Sequence, residues 1–265
     1  MTSIERFRAL HAARSGKLLV LPNAWDVLSA RLFEEAGAEA IATSSAVVAW
    51  AHGYGDGQQL PEASLVAAVR ELGQRVRVPL SVDVERGYGS EPQAVVELIE
   101  QLVAAGAVGI NLEDGAADAE LLAANIRALR ARFGSALFIN ARTCVVLFGK
   151  VSGEAGVREV LERARLYESA GADGLFVPLL SAPQEIAAVA GGTGLPLNVM
   201  WVPGLPPPAA LAELGARRLS AGTRLGSLAY QTAADAARAW LERGDETQLV
   251  QGARVDYAKT NALMR

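Results

Sequence analysis

The chain has 265 residues, enough for one (β/α)8 barrel of about 250 residues or for two small domains. An apolar share of 51% and a charged share of 20% suit a folded chain with a large core. A net charge of −4 with scattered basic residues excludes the electrostatic footprint of a nucleic-acid or anionic-membrane binder.

In chain order, short β-rich apolar runs alternate with longer segments of helical period, and there is no linker or low-complexity stretch. After an N-terminal helical segment, strands are expected at 18–25, 40–45, 78–85, 108–114, 136–143, 174–180, 195–201 and 216–222. Several are nearly continuous apolar runs, as strands buried on both faces should be. Pro61-Glu-Ala-Ser and Ser90-Glu-Pro-Gln open the helical segments before and after the third run, and Gly153-Glu opens another that stops at Gly171. Three strand-entering turns repeat, at Glu35-Ala-Gly-Ala, Ala104-Ala-Gly-Ala and Ser169-Ala-Gly-Ala. Eight βα units favour a closed (β/α)8 TIM barrel in one domain spanning 1–265, and no Gly-x-Gly-x-x-Gly follows the first run. Residues 224–265 read as an amphipathic helical extension longer than one barrel helix, suited to packing against a neighbouring subunit.

The single cysteine, Cys144, allows no internal disulfide. The N-terminal stretch lacks a signal-peptide apolar region, and no run approaches the roughly eighteen apolar residues of a membrane span. A cytoplasmic protein is expected.

Barrel enzymes carry their chemistry at the C-terminal strand ends. Side chains alternate along a strand, so Ser81, Asp83 and Glu85 share one face of the third run. Asn111 and Glu113 share a face of the fourth, and Asn140 and Arg142 share a face of the fifth. Three carboxylates crowded together repel, and a hard divalent cation relieves that repulsion. Arg142 suits a bidentate grip on a substrate carboxylate, although the same residues could form a buried ion network. The second run ends in Ala42-Thr-Ser-Ser-Ala46, whose hydroxyls and N–H groups suit an oxyanion, and continues to His52-Gly-Tyr-Gly-Asp56. Ser220-Ala-Gly-Thr-Arg-Leu-Gly226 reads as a tight loop and helix start, with a phosphate site as the alternative.

Ser44-Ser45, Gly53-Tyr-Gly-Asp56, Asp83-Val-Glu-Arg-Gly-Tyr-Gly89, Leu112-Glu-Asp114 and Asn140-Ala-Arg-Thr143 resemble, in this order, the isocitrate lyase/phosphoenolpyruvate mutase superfamily. The resemblance implies a barrel that binds Mg²⁺, with Mn²⁺ as an alternative, and a 2-oxo carboxylate or its enolate. It implies Asp83 as the principal metal carboxylate, with Asp56, Glu85 and Glu113 holding the metal's waters. Thr43, Ser44, Ser45, Ala46, Asn140, Arg142 and Asn198 are then the substrate-binding positions. A homotetramer or dimer that exchanges a C-terminal helix is implied as well. The chain departs from the family at two points: the Lys-Lys/Arg-Cys-Gly-His loop after the fourth strand is missing, and Leu179 stands where methylisocitrate lyases carry a glutamate.

With that loop gone, His52 is the acid/base candidate among the catalytic positions Asp83, Arg142 and His52, with Cys144 and Tyr88 as further options. The expected activity is Mg²⁺-dependent C–C cleavage or decarboxylation of a small 2-oxo or hydroxy polycarboxylate, such as an oxaloacetate- or methylisocitrate-like acid, through an enolate. The alternatives are phosphonopyruvate mutase- or hydrolase-like P–C chemistry, a 2-oxo-acid-binding protein without turnover, and C–C bond formation of the ketopantoate hydroxymethyltransferase type.

Overall fold

The computed structural model describes residues 1–12, 17–252 and 254–264. All eight apolar runs become strands. The first is split in two, β1 (Leu19–Leu21) and β2 (Asn23–Ala24), parted at Pro22, which has no N–H to give a ladder. The others are β3 (Ile41–Thr43), β4 (Leu80–Asp83), β5 (Gly109–Glu113), β6 (Phe138–Arg142), β7 (Gly174–Phe176), β8 (Leu197–Met200) and β9 (Ala216–Ser220). Every pairing is parallel, in the order β1-β9-β8-β7-β6-β5-β4-β3-β2. Because β1 and β2 are one run, the order returns to where it began and makes an eight-position TIM barrel.

Helices α1 (Ser3–His11), α2 (Val27–Glu35), α3 (Ser45–Ala51), α4 (Glu62–Arg75), α5 (Pro92–Ala104) and α6 (Ala119–Phe133) belong to the first half. The second half carries α7 (Gly153–Ala170), α8 (Pro183–Gly192) and α9 (Pro208–Glu213). The repeated Ala-Gly-Ala turns work as expected: Gly37, Gly106 and Gly171 take φ of 96°, 111° and 105°, a left-handed turn that glycine adopts without strain. At the α5–β5 turn the packing is closer still, since a Cβ on Gly73 of α4 would lie 2.0 Å from the Ala105 carbonyl oxygen.

The barrel interior is graded. Its lower end is apolar, with Phe7, Leu19, Leu21, Ala40, Ala42 and Phe138 in one buried cluster that α1 closes. Above lie buried Asn111, Asn140, Asn198 and Arg218, and then the acidic mouth. A separate apolar shell joins the outer strand faces to α4–α8, with Leu65, Leu98, Ile126, Val160 and Ile186 among its members. The strands are shorter than the apolar runs. β4 stops at Asp83 because Glu85 turns to φ 51°, and β7 stops at Phe176, just before Pro178.

Beyond β9 the chain forms α10 (Arg224–Arg243), α11 (Thr247–Gln251) and α12 (Tyr257–Leu263); Ala253 and Arg265 of the expected tail lie outside the described residues. α10 buries only Gly226 and Ala239, while Leu228, Trp240 and Leu241 are exposed. Among the described residues no helix is long and apolar enough to cross a membrane.

Candidate active site

Asp83 ends β4 with its carboxylate in a fixed frame. Its N–H donates to Thr43 Oγ1 at 2.9 Å, and the Ser45 hydroxyl donates to its Oδ2 at 3.2 Å. The hydroxyl run after β3 thus orients the carboxylate directly, with Ser44 and Ala46 buried beside it. Asn23, which the sequence reading passed over, ties the same rim together: its Nδ2 donates to the Thr43 carbonyl at 2.8 Å, and its Oδ1 accepts from Gly222 N–H at 2.9 Å.

Glu85 reaches the cluster by a different route from the one strand alternation implies. The strand has already ended, and a left-handed turn brings the residue back so that its N–H donates to Asp83 Oδ1 at 3.3 Å. Its own Oε1 accepts from Gln58 N–H at 2.9 Å. Burial pushes the Glu85 carboxyl up to about 7, and the negative charges of Asp56, Asp83 and Glu113 add to the effect. Glu113, at the end of β5, is also raised by burial and by Asp83, against the pull of Arg142. Asp56 is exposed, and its charge is felt at Glu85. Tyr88 is half-buried, and burial followed by the charge of Glu85 holds its phenol protonated.

Arg142, at the end of β6, faces this cluster, 2.9 Å from Glu113 Oε2 and 3.9 Å from Asp83 Oδ2. It lies over the Phe176 ring at 5.6 Å, and those carboxylates keep it charged despite burial. One guanidinium in the mouth against the carboxyl groups of Asp83, Glu85 and Glu113 leaves more acid than base in a poorly solvated place, and burial with mutual repulsion holds Glu85 partly protonated. Among the described residues no three acidic, histidine or cysteine groups are arranged to hold a metal ion. The chemistry of the donors, all carboxylate oxygen, still suits a hard cation that keeps several of its waters, as Mg²⁺ does.

Asn140 and Asn198 meet beneath the mouth. Asn140 Nδ2 donates to Asn111 Oδ1 at 2.9 Å and to Asn198 Oδ1 at 3.1 Å, and Asn198 Nδ2 donates to Ser220 Oγ at 3.2 Å. Both are 1% exposed, so the two amides expected at the substrate spend their hydrogen bonds on one another and hold β5, β6, β8 and β9 together. The loop expected as a phosphate alternative is occupied in the same way, by Ser220 inside the barrel and by Arg224 over the Trp201 ring at 5.5 Å.

The short loop after β5 is clamped. Asp114 points away from the mouth and accepts from the N–H groups of Ala116 and Cys144, from Arg163 Nη1 and from Tyr167 Oη, all at 2.7–2.9 Å. Lys150 Nζ donates to the Ala116 carbonyl at 3.0 Å. Cys144 lies fully buried beside Arg142 and Glu113, and burial pushes its thiol up to about 12, so it is no thiolate. His52 caps the exposed end of α3 with Nδ1 2.9 Å from the Val48 carbonyl oxygen, and among the described contacts none joins it to the acidic cluster.

A family model described as phosphoenolpyruvate phosphomutase matches residues 7–241. The chain belongs to the phosphoenolpyruvate phosphomutase family. Among curated relatives, an uncharacterised protein of Mycobacterium tuberculosis is 38% identical over 237 residues, 88% of each chain. An oxaloacetate decarboxylase of Rhodopseudomonas palustris is 30% identical, over 74% of this chain and 71% of its own. Among solved structures, a provisionally assigned phosphonomutase of Burkholderia cenocepacia is 40% identical with a TM-score of 0.84, over 89% of this chain and 97% of its own. A phosphonopyruvate hydrolase complexed with oxalate and Mg²⁺ is 25% identical with a TM-score of 0.83, over 99% and 95%. The chain shares the isocitrate lyase/phosphoenolpyruvate mutase superfamily, whose members are carbon–carbon lyases and mutases, with relatives named oxaloacetate decarboxylase and probable 2-methylisocitrate lyase.

Proposed function

We propose that this chain is a Mg²⁺-dependent lyase, with Mn²⁺ as a substitute ion, that breaks the bond between the carbons α and β to the carbonyl of a small 2-oxo polycarboxylate, by preference an oxaloacetate-like acid. The observation that carries this reading is the surplus of carboxylate at Asp83, Glu85 and Glu113 over the single Arg142. Asp83 would hold the ion, with Glu85, Glu113 and Asp56 around its waters. Bound there, Mg²⁺ supplies Lewis-acid polarisation and neutralises developing negative charge.

The chain's own residues do the rest. Arg142 grips a substrate carboxylate, exchanging its contact with Glu113 for the ligand. Thr43 and Ser45 keep Asp83 in one orientation, and the segment 43–46 faces the substrate's oxygens. Asn140 and Asn198 brace the floor rather than touch the ligand. In decarboxylation the C3–C4 bond breaks, CO₂ leaves, the electron pair stays on the 2-oxo fragment as its enolate, and water returns a proton to C3. This route needs no loop acid, which agrees with the clamped stub after β5. It also leaves no task for His52.

The phosphonomutase-named structure at 40% identity and the phosphonopyruvate hydrolase at 25% support P–C bond chemistry of the mutase or hydrolase type as the second reading. Incubation with Mg²⁺ and oxaloacetate, 2-methylisocitrate, isocitrate or phosphonopyruvate, following pyruvate, glyoxylate and phosphoenolpyruvate, distinguishes the two. Pyruvate from oxaloacetate supports decarboxylation, and turnover of phosphonopyruvate alone supports the second reading.

The same reading includes a homo-oligomer, dimer or tetramer, in which the 224–265 extension is exchanged. A largely apolar groove of about 950 Å³ runs between the outer face of β1 and β9 and helices α2 and α10, lined by Val20, Phe33, Trp201 and Leu228. Its size and the exposed apolar side of α10 support occupation by a helix of a second copy. A cytoplasmic location agrees with the absence of any membrane-spanning helix among the described residues.

A further inference from the structure

Among the described residues Arg218 stands first of the large, fully buried side chains, at 0% exposure, and lies inside the barrel rather than at its mouth. It projects from β9, where its neighbours in register are Leu19 of β1 and Asn198 of β8. Its Nη2 donates to Asn111 Oδ1 at 3.3 Å, and Asn111 belongs to β5, four strand positions away around the ring. The guanidinium thus crosses the barrel and ends among neutral amides. It forms no ion pair among the described residues, and its Nε and Nη1 have no hydrogen-bond partner.

A bare guanidinium in a sealed core is expensive for folding, and a hydrophobic residue of similar size would ordinarily be cheaper. What the position offers in return is electrostatic. Asn111, which accepts the Arg218 bond, is the register neighbour of Asp83 on β4, and Asp83 is the carboxylate whose charge is felt at Arg218; with all three residues buried, the interaction is screened far less than a surface pair would be. Burial lowers the guanidinium to about 9, which leaves it charged at neutral pH. The other ionisable group nearby, His11 of α1, is held neutral by burial and by Arg218, so it adds no charge there.

We infer that Arg218 is a positioning residue that sets the charge balance of the acidic mouth from below, favouring an anionic substrate at the expense of divalent-cation affinity. Arg142 and Arg218 then divide the task. Arg142 sits in the mouth where a ligand can touch it, while Arg218 acts through space and through the Asn111–Asn140–Asn198 bridge. This rests on the reading of Asp83 and its neighbours as a divalent-cation site.

The test uses Mn²⁺ and oxalate as probes on the full chain. Mn²⁺ binding is read by electron paramagnetic resonance, and oxalate binding at saturating Mn²⁺ by calorimetry. Arg218→Met binds Mn²⁺ roughly five- to tenfold more tightly and oxalate roughly tenfold more weakly. Asn111→Asp keeps the acceptor oxygen but pairs Arg218 with a new carboxylate, so it moves both constants in the same directions as Arg218→Met. It also provides the reading if Arg218→Met does not fold. A purely structural role weakens both ligands together. That result, or Mn²⁺ affinity unchanged in both variants, overturns the assignment of Arg218 while leaving the cation site standing. A wild-type chain that binds no Mn²⁺ overturns the cation site and the inference together.

Discussion

Asp114→Ala probes the clamp that fixes the stub after β5. The Asp114 side chain has 0% exposure and accepts from Ala116 N–H at 2.7 Å, Cys144 N–H at 2.9 Å, Arg163 Nη1 at 2.8 Å and Tyr167 Oη at 2.8 Å. Truncation leaves a guanidinium at 14% exposure without its buried partner, a loss of about 3–5 kcal/mol by itself. The stranded phenol and two N–H groups would each cost about 1–3 kcal/mol if nothing replaced the carboxylate. Water entering the vacated space, together with Arg163's remaining bonds to Glu159 and the Ala117 carbonyl, offsets part of this. The net expectation is about 4–6 kcal/mol, or a fall in melting temperature of about 10–20 °C for a chain of this size. Asp114→Asn retains an oxygen for the two N–H groups and loses only the charge, so about half that cost is expected. Urea unfolding with both variants measures it. A loss below about 1 kcal/mol for Asp114→Ala would refute the clamp, because the carboxylate would then be holding nothing that water cannot hold.

Further outcomes follow from the same geometry. His11, lowered to about 3 in the fold against an ordinary 6.5, is buried neutral, so the unfolded chain binds its proton first; stability falls by about 1.4 kcal/mol per unit as pH drops from 6.5, and His11→Gln flattens that slope in urea melts at pH 4.5–7.5. Glu85, raised to about 7, must give up its proton when a cation arrives. Mg²⁺ affinity therefore weakens as pH falls from 8 to 6, and calorimetry of Glu85→Gln shows a flatter pH dependence. Arg142→Lys retains charge but loses the planar fork, and kcat/KM for a 2-oxo dicarboxylate drops by about 10²-fold with KM rising. Leu228→Asp, on the 65%-exposed apolar side of α10, shifts sedimentation towards a smaller species without changing the monomer's circular dichroism.

The barrel was legible because eight doubly buried strands leave apolar runs, and because the Ala-Gly-Ala turns need left-handed glycines at Gly37, Gly106 and Gly171. Asp83, Glu113 and Arg142 were legible for the same reason: they sit on or at the ends of strands, where alternation decides direction. Alternation named Glu85 for the wrong reason, since a turn at φ 51° brings it back to the cluster. It also brought Asn140 inward, while Asn198 came only from the resemblance; neither carries information on depth, and depth is what turns the pair into a brace under the mouth. Arg218 was hidden because an arginine between Arg217 and Leu219 reads as an ordinary strand-edge charge. Only closure of the ring makes it internal. His52 lies next to a family motif in sequence, yet α3 ends in a turn that faces its ring back to Val48.

The most direct test of the account is the rate of pyruvate release from oxaloacetate, measured with Mg²⁺, after EDTA, and with Asp83→Ala. Turnover is expected that EDTA abolishes and Mg²⁺ restores, lowered by about 10³-fold or more in Asp83→Ala while the fold remains intact. Turnover indifferent to both EDTA and Asp83→Ala would contradict it.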